Sequence, residues 1–216
     1  MLNRAMMLAV VGLVVVIGAR AGHANLVTNP SNDGTMDGWT IMENGGSGWH
    51  PHTTLPWFCT SNYWDTRYQI IDLVASGYSA SFLYTAPEIL VSERVSAKDY
   101  GDYYYIVAKL LDETMNEISQ WNVGTRTSPA EIGDPAVINN TVEETLSHVF
   151  SGYGAGVRYV RFEDGGKDSE GWSEWYGARF TDATVSVSAV PEPLTMLGMF
   201  LGLGGVGAYI RRRRMR

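Results

Sequence analysis

Residues 25–188 form a succession of short runs rich in β-branched and aromatic side chains, each closed by glycine, proline or asparagine. No convincing helical period lies between them. This punctuation constrains the fold most strongly. Many short strands joined by turns bury their apolar faces as two antiparallel sheets packed against each other. Residues 103–111, three tyrosines followed by Ile106, Val107, Ala108, Lys109 and two leucines, make the strongest strand. Further strands are expected at 38–44, 69–73, 81–84, 145–150, 157–162 and 178–187. In 145–150, Leu146, His148 and Phe150 alternate with Thr145, Ser147 and Val149, the period of a half-buried strand. Gly45, Gly46 and Gly48 make one turn and Gly77 another. Residues 122–140, with Gly124, Pro129, Gly133 and Pro135, read as a long loop.

The two ends differ from this body. Arg4 precedes an apolar run at 5–18, and Gly22 and Ala24 are small, so 1–24 reads as a signal-peptide helix cleaved after Ala24. At the far end, Pro191, Glu192 and Pro193 open a segment, 194–210 is uncharged, and Arg211, Arg212, Arg213 and Arg214 close it. At helical rise those seventeen residues reach about 25 Å, enough for a thin or locally thinned bilayer. The arginines would stay on the cytoplasmic side and the body outside. Residues 189–216 thus read as a transmembrane anchor and resemble the PEP-CTERM sorting signal. That resemblance implies an exosortase-type enzyme acting near 191–193. The expected location is the inner membrane with the body outside the cytoplasm, or the cell surface or matrix after processing.

Cys59 is the single cysteine, so no intramolecular disulfide is available and stability rests on a packed core. Beside Trp57 and Phe58 it reads as a small buried hydrophobe. The net charge of −7 hides a more acidic body, in which 25–188 holds nine basic side chains against 22 acidic ones. Such a domain repels phosphate backbones, which argues against a nucleic-acid partner. The sequence lacks a Gly-x-Ser-x-Gly elbow, a His-Glu-x-x-His pair, a phosphate-binding glycine loop and a paired-cysteine metal site. No spacing selects a glycosidase pair among its carboxylates. A protein that is not an enzyme and carries no cofactor is expected. His50 and His52 find no third ligand in a readable pattern, so no metal is assigned. His148, on an otherwise apolar face, is expected to be a hydrogen-bonded structural residue.

Between the strands expected at 157–162 and 178–187 lies a loop that begins at Gly165 and Gly166 and carries Trp172, Trp175 and Tyr176 near its end. Loops positioned by a rigid sheet often bind ligands, whereas aromatics at a sandwich end often plug it. Both readings stand at this point.

An ordered series of pieces across nearly all of the body resembles the F-box-associated (FBA) domain family. It runs through Asn25-Leu26, Asn29-Pro30, Gly38-Trp39, Glu-Asn-Gly-Gly at 43–46, Gly48-Trp49, Thr60-Ser61 with Trp64, and Gln-Ile-Ile-Asp-Leu at 69–73. It continues with Gly77-Tyr78, the 105–111 strand, Ser147-His148 and Gly-Val-Arg-Tyr-Val-Arg-Phe at 156–162. Gly165-Gly166, Asp168 and Trp-Tyr-Gly-Ala-Arg at 175–179 complete it. The resemblance implies an all-β, antiparallel jelly-roll β-sandwich over 25–188, similar to galactose-binding-like domains. Some members bind the core of N-linked glycans through an aromatic and polar rim. One part of that rim is a Tyr-Trp-Lys triplet, and here it reads Gly171-Trp172-Ser173. Another part is a Phe, and here it is Asn62, with Tyr63 beside it. Trp172, Asn62, Tyr63, Asp168 and Glu170 are therefore the candidate carbohydrate-binding residues, and a carbohydrate or glycoprotein is the expected partner. The alternative is a structural or protein-interaction module of the cell surface with no sugar ligand.

Overall fold

The computed structural model describes residues 24–52, 54–97, 101–133, 141–170 and 174–188. Within them, eleven strands and one helical turn form two antiparallel sheets. The first sheet contains β1 (Thr40–Asn44), β4 (Asp65–Asp72), β6 (Asp102–Leu111), β7 (Glu117–Val123), β8 (Ala130–Ile132) and β10 (Tyr159–Asp168). Its order is β1-β4-β10-β6-β7, and β8 pairs with β6. The second contains β2 (His50–Pro51), β3 (Phe58–Cys59), β5 (Ile89–Ala97), β9 (Val142–Phe150) and β11 (Arg179–Val187), in the order β2-β3-β11-β5-β9. The helical turn, α1, spans Ala80–Leu83.

The core follows from strand alternation. Tyr104, Ile106, Ala108 and Leu110 of β6 point inward with Val160 and Phe162 of β10, and all are buried. They join one apolar cluster with Val91 and Val95 of β5 and Phe180 and Val185 of β11, so the core lies between the two sheets. Each fully buried side chain of this size contributes roughly 1.5–3 kcal/mol by leaving water. Cys59 is buried, as its aromatic neighbours imply.

One inward-facing set is charged. Arg67 of β4 and Asp164 of β10 meet Glu93 of β5 across the sheets, and all three side chains are fully buried. Arg67 Nε donates to Asp164 Oδ1 and Oδ2 at 2.9 and 3.1 Å, and its Nη2 lies 3.6 Å from Glu93 Oε1. The guanidinium sits 3.7 Å from the Trp39 ring centre, 4.0 Å from Phe58 and 4.6 Å from Trp49. Aromatic faces stabilise a desolvated cation. Burial, reinforced by the neighbouring Asp164 charge, raises the Glu93 pKa well above the ordinary carboxyl value. A protonated Glu93 leaves one positive and one negative group, an arrangement the interior tolerates.

Several boundaries differ from the sequence expectations. The strand expected at 81–84 is α1, because the Ser79 hydroxyl accepts the Phe82 N–H at 3.2 Å and caps a helical turn. Gly165 and Gly166 do not begin a loop but lie inside β10, between β4 and β6. A Cβ on Gly165 would fall 2.6 Å from Thr66 Cγ2 and 2.9 Å from Asp65 O, so the crossing requires glycine. The long loop expected at 122–140 starts with the end of β7 and contains β8. β2, β3, β5, β7 and β8 have no counterpart among the expected strands. Among the described residues no helix is long and apolar enough to cross a membrane. The signal-peptide helix expected over 1–24, apart from Ala24, and the anchor expected over 189–216 lie outside the described residues, with Pro191, Glu192, Pro193 and Arg211 to Arg214.

Candidate functional site

Three connections converge at one end of the sandwich: the β1–β2 turn, the β3–β4 loop and the segment after β10. Backbone hydrogen bonds fasten them together. Gly45 N–H donates to Trp64 O at 3.2 Å, Asp168 N–H to Ser61 O at 2.9 Å, and Gly177 N–H to Thr60 O at 3.1 Å. The Ser61 hydroxyl adds a 2.7 Å bond to Gly45 O. Gly46, at φ +54°, closes the β1–β2 turn against Asn62, whose Oδ1 occupies the space a Cβ would need.

The base of the β3–β4 loop is held by Asp65. Its Oδ2 accepts the Ser61 N–H at 2.7 Å, and the residue is fully buried. Desolvation raises its pKa from the ordinary 3.8 to about 6, against the lowering effect of the Ser61 hydrogen bonds.

Above this base stand aromatics that water reaches. Tyr63 is 65% exposed, and Trp175 and Tyr176 are 38% and 37% exposed. Trp175 lies on the His50 imidazole, ring centres 4.0 Å apart and planes 20° from parallel. Its indole N–H points to Ser47 O at 3.4 Å, so the ring is fixed beside the same turn that meets Asn62. Trp175 and Tyr176 therefore do not plug the sandwich end.

The expected site residues separate into different positions. Asn62 is half-buried and Tyr63 exposed on one loop, and Glu170 is exposed beyond the end of β10. Asp168 is buried, and its Oδ1 accepts the Glu170 N–H at 2.9 Å, so it braces the segment from below. Trp172 lies outside the described residues. The sequence pattern offers His50 only as a metal ligand, and its role as the support for Trp175 is a non-local pairing that no local pattern announces. Burial, then the nearby His52, lowers the His50 pKa. His52 Nδ1 accepts the backbone N–H groups of Thr54 and Leu55, each at 3.2 Å. His148 stacks on Trp121 with ring centres 5.5 Å apart and meets Phe150 edge-on at 4.7 Å, a packing position between the sheets.

Residues 19–187 match the family described as FBA, F-box associated region. The chain belongs to the FBA family. It is 35% identical over 179 residues to F-box only protein 2 of Bos taurus, covering 76% of this chain and 58% of that protein. F-box only protein 6 of Homo sapiens is 32% identical over 194 residues, covering 78% of this chain and 60% of the relative. The FBA chain thus spans about three-fifths of the length of these relatives. A looser overlay, at TM-score 0.43 and 9% identity, links it to the CBM22-1 xylan-binding domain from Paenibacillus barcinonensis Xyn10C, covering 80% of this chain and 100% of that one.

Proposed function

We propose that this FBA-family chain is a non-catalytic carbohydrate-binding protein that holds a glycan or exopolysaccharide at the loop-bearing end of a jelly-roll sandwich. The observation that carries the reading is the set of exposed aromatics, Tyr63, Trp175 and Tyr176, gathered around loops that hydrogen bonds fasten in place. Sugar rings present apolar C–H faces to aromatic planes and hydroxyls to carboxylates and amides. Tyr63 and Trp175 offer the planes, Asn62 and Glu170 the polar groups, and Asp168 the support beneath. Trp172 would extend this set. The His50–Trp175 stack fixes one plane in advance, which lowers the ordering cost of binding.

Two further features of the proposal draw on different support. Consecutive strands β3, β4, β5 and β6 alternate between the sheets, as do β9, β10 and β11, an interleaving that favours the jelly-roll form. Export by 1–24, anchoring by 189–216 and exosortase-type processing at Pro191, Glu192 and Pro193 rest on the sequence patterns of the two ends.

The test is titration of the purified protein against a glycan array and matrix polysaccharides, alongside Tyr63→Ala, Trp172→Ala and Trp175→Ala. Saturable binding that these variants weaken at least tenfold is expected. No binding to any saccharide, with the fold intact, favours the structural or protein-interaction module instead.

A further inference from the structure

A second feature lies on the outer face of the six-stranded sheet. There the side chains of β6 and β10 that turn away from the core stand in register: Tyr105 opposite Gly165, Val107 opposite Glu163, and Lys109 opposite Arg161. The Tyr105 ring packs against Gly165, and Tyr105 and Val107 line a depression of about 360 Å³. This volume is at the small end for ligand sites.

The lining is unusual for this chain. Lys109, Arg126 and Arg161 bring three of the nine basic side chains of 25–188 to one depression. Among the described residues, Glu163 is the one carboxylate that lines it. That carboxylate is already engaged, since its Oε1 accepts the Tyr105 hydroxyl at 3.0 Å and its Oε2 accepts Arg161 Nη2 at 2.8 Å. Lys109 and Arg126 pair outward with Glu117 and Glu43 at 2.8 and 3.0 Å. All four of those side chains are between 33% and 46% exposed. The Lys109–Glu117 pair is a single contact that exchanges readily, whereas Arg126 grips Glu43 through both Nε and Nη2 and lies 4.7 Å from the Trp64 ring centre, so a ligand carboxylate must displace Glu43.

We propose that this depression is a second ligand site, separate from the loop rim, for a carboxylate-bearing saccharide such as a uronic-acid unit of a polysaccharide. The carboxylate fits Arg126 and Lys109, which supply a planar fork and a point charge. The apolar side of the sugar ring lies on Val107, and the Gln120 amide and Thr125 hydroxyl meet ring hydroxyls. The rest of the acidic body repels such a ligand, so this depression holds it through Lys109 and Arg126 once Glu117 and Glu43 give way.

The experiment titrates the purified protein by calorimetry with an oligogalacturonate and with a neutral galacto-oligosaccharide of the same length. The oligogalacturonate should bind at least tenfold tighter, and raising NaCl from about 50 to about 300 mM should weaken it as screening shortens the reach of the charges. Lys109→Gln with Arg126→Gln should remove at least tenfold of the affinity while circular dichroism and the melting temperature stay unchanged. Tyr63→Ala should leave it as it was, because that residue belongs to the rim. Sodium acetate at equal carboxylate concentration should not compete. Absence of oligogalacturonate binding, equal binding of the neutral oligomer, insensitivity to salt, or full competition by acetate overturns the site. So does an unaltered double variant, or loss of binding in Tyr63→Ala. Should the double variant unfold, the salt, acetate and Tyr63→Ala arms still decide the matter.

Discussion

Arg67 and Asp164 are joined by a two-pronged hydrogen bond at 2.9 and 3.1 Å in the interior of the protein, where neither side chain touches water. Removing one partner leaves the other charge buried and uncompensated. Asp164→Ala is expected to destabilise the fold by about 3–5 kcal/mol. Glu93→Gln replaces a carboxyl whose pKa burial raises well above the ordinary value with a neutral isostere, and should change stability by less than about 1 kcal/mol. Urea unfolding of both variants checks the contrast. Equal losses in the two would mean that Glu93 is ionised in the folded state.

Asp65 gives the protein a pH dependence with a definite sign. Its folded pKa is raised from 3.8 to about 6, so the folded state holds this proton more tightly than the unfolded chain. The associated stability is present in full below pH 3.8 and is lost as pH rises through about 6. Asp65→Asn, which imitates the protonated form and can still accept the Ser61 N–H, should flatten that interval. Melting curves across this range measure it, and an Asp65→Asn profile parallel to the parent would assign the slope elsewhere.

Gly165→Ala places a methyl group 2.6 Å from Thr66 Cγ2 and 2.9 Å from both Asp65 O and Tyr105 Cε1. Asp65 O belongs to the backbone of the paired strand and the other two atoms to buried side chains, so the strands must part. A loss of about 1–3 kcal/mol is expected. The readout is the urea midpoint at constant slope, and an unchanged midpoint contradicts the close crossing.

Tyr63→Ala and Trp175→Ala remove exposed rings that contribute little to the core. Their melting temperatures should stay within about 2 °C of the parent, while the affinity for a rim-bound saccharide falls at least tenfold. Large thermal losses would place these rings in the scaffold instead.

Much of the scaffold was legible because its strands are written in local composition. The strand at 103–111 corresponds to β6, and 145–150 and 178–187 fall on β9 and β11. β5 escaped because Glu93 and Arg94 interrupt its hydrophobic pattern, and only the distant Arg67 explains why a glutamate can occupy an inward position. Gly165 and Gly166 suggested a turn, since glycine in a sequence does not distinguish a reversal from a crowded crossing. The rim was legible in part. Asn62 and Tyr63 fall on an accessible loop, whereas the burial of Asp168 depends on strand pairing with β6. The support of Trp175 by His50 joins positions far apart in the chain and has no short-range signature.

The cation wedged among Trp39, Trp49 and Phe58 has a mechanical consequence. It is bonded to Asp164 of its own layer and lies 3.6 Å from Glu93 of the other, so sliding the layers past each other would strip a desolvated cation of part of its aromatic cage and of that contact. Relative sliding of the two layers is therefore opposed at their centre. Adjustment is left to the connecting segments at the end of the sandwich.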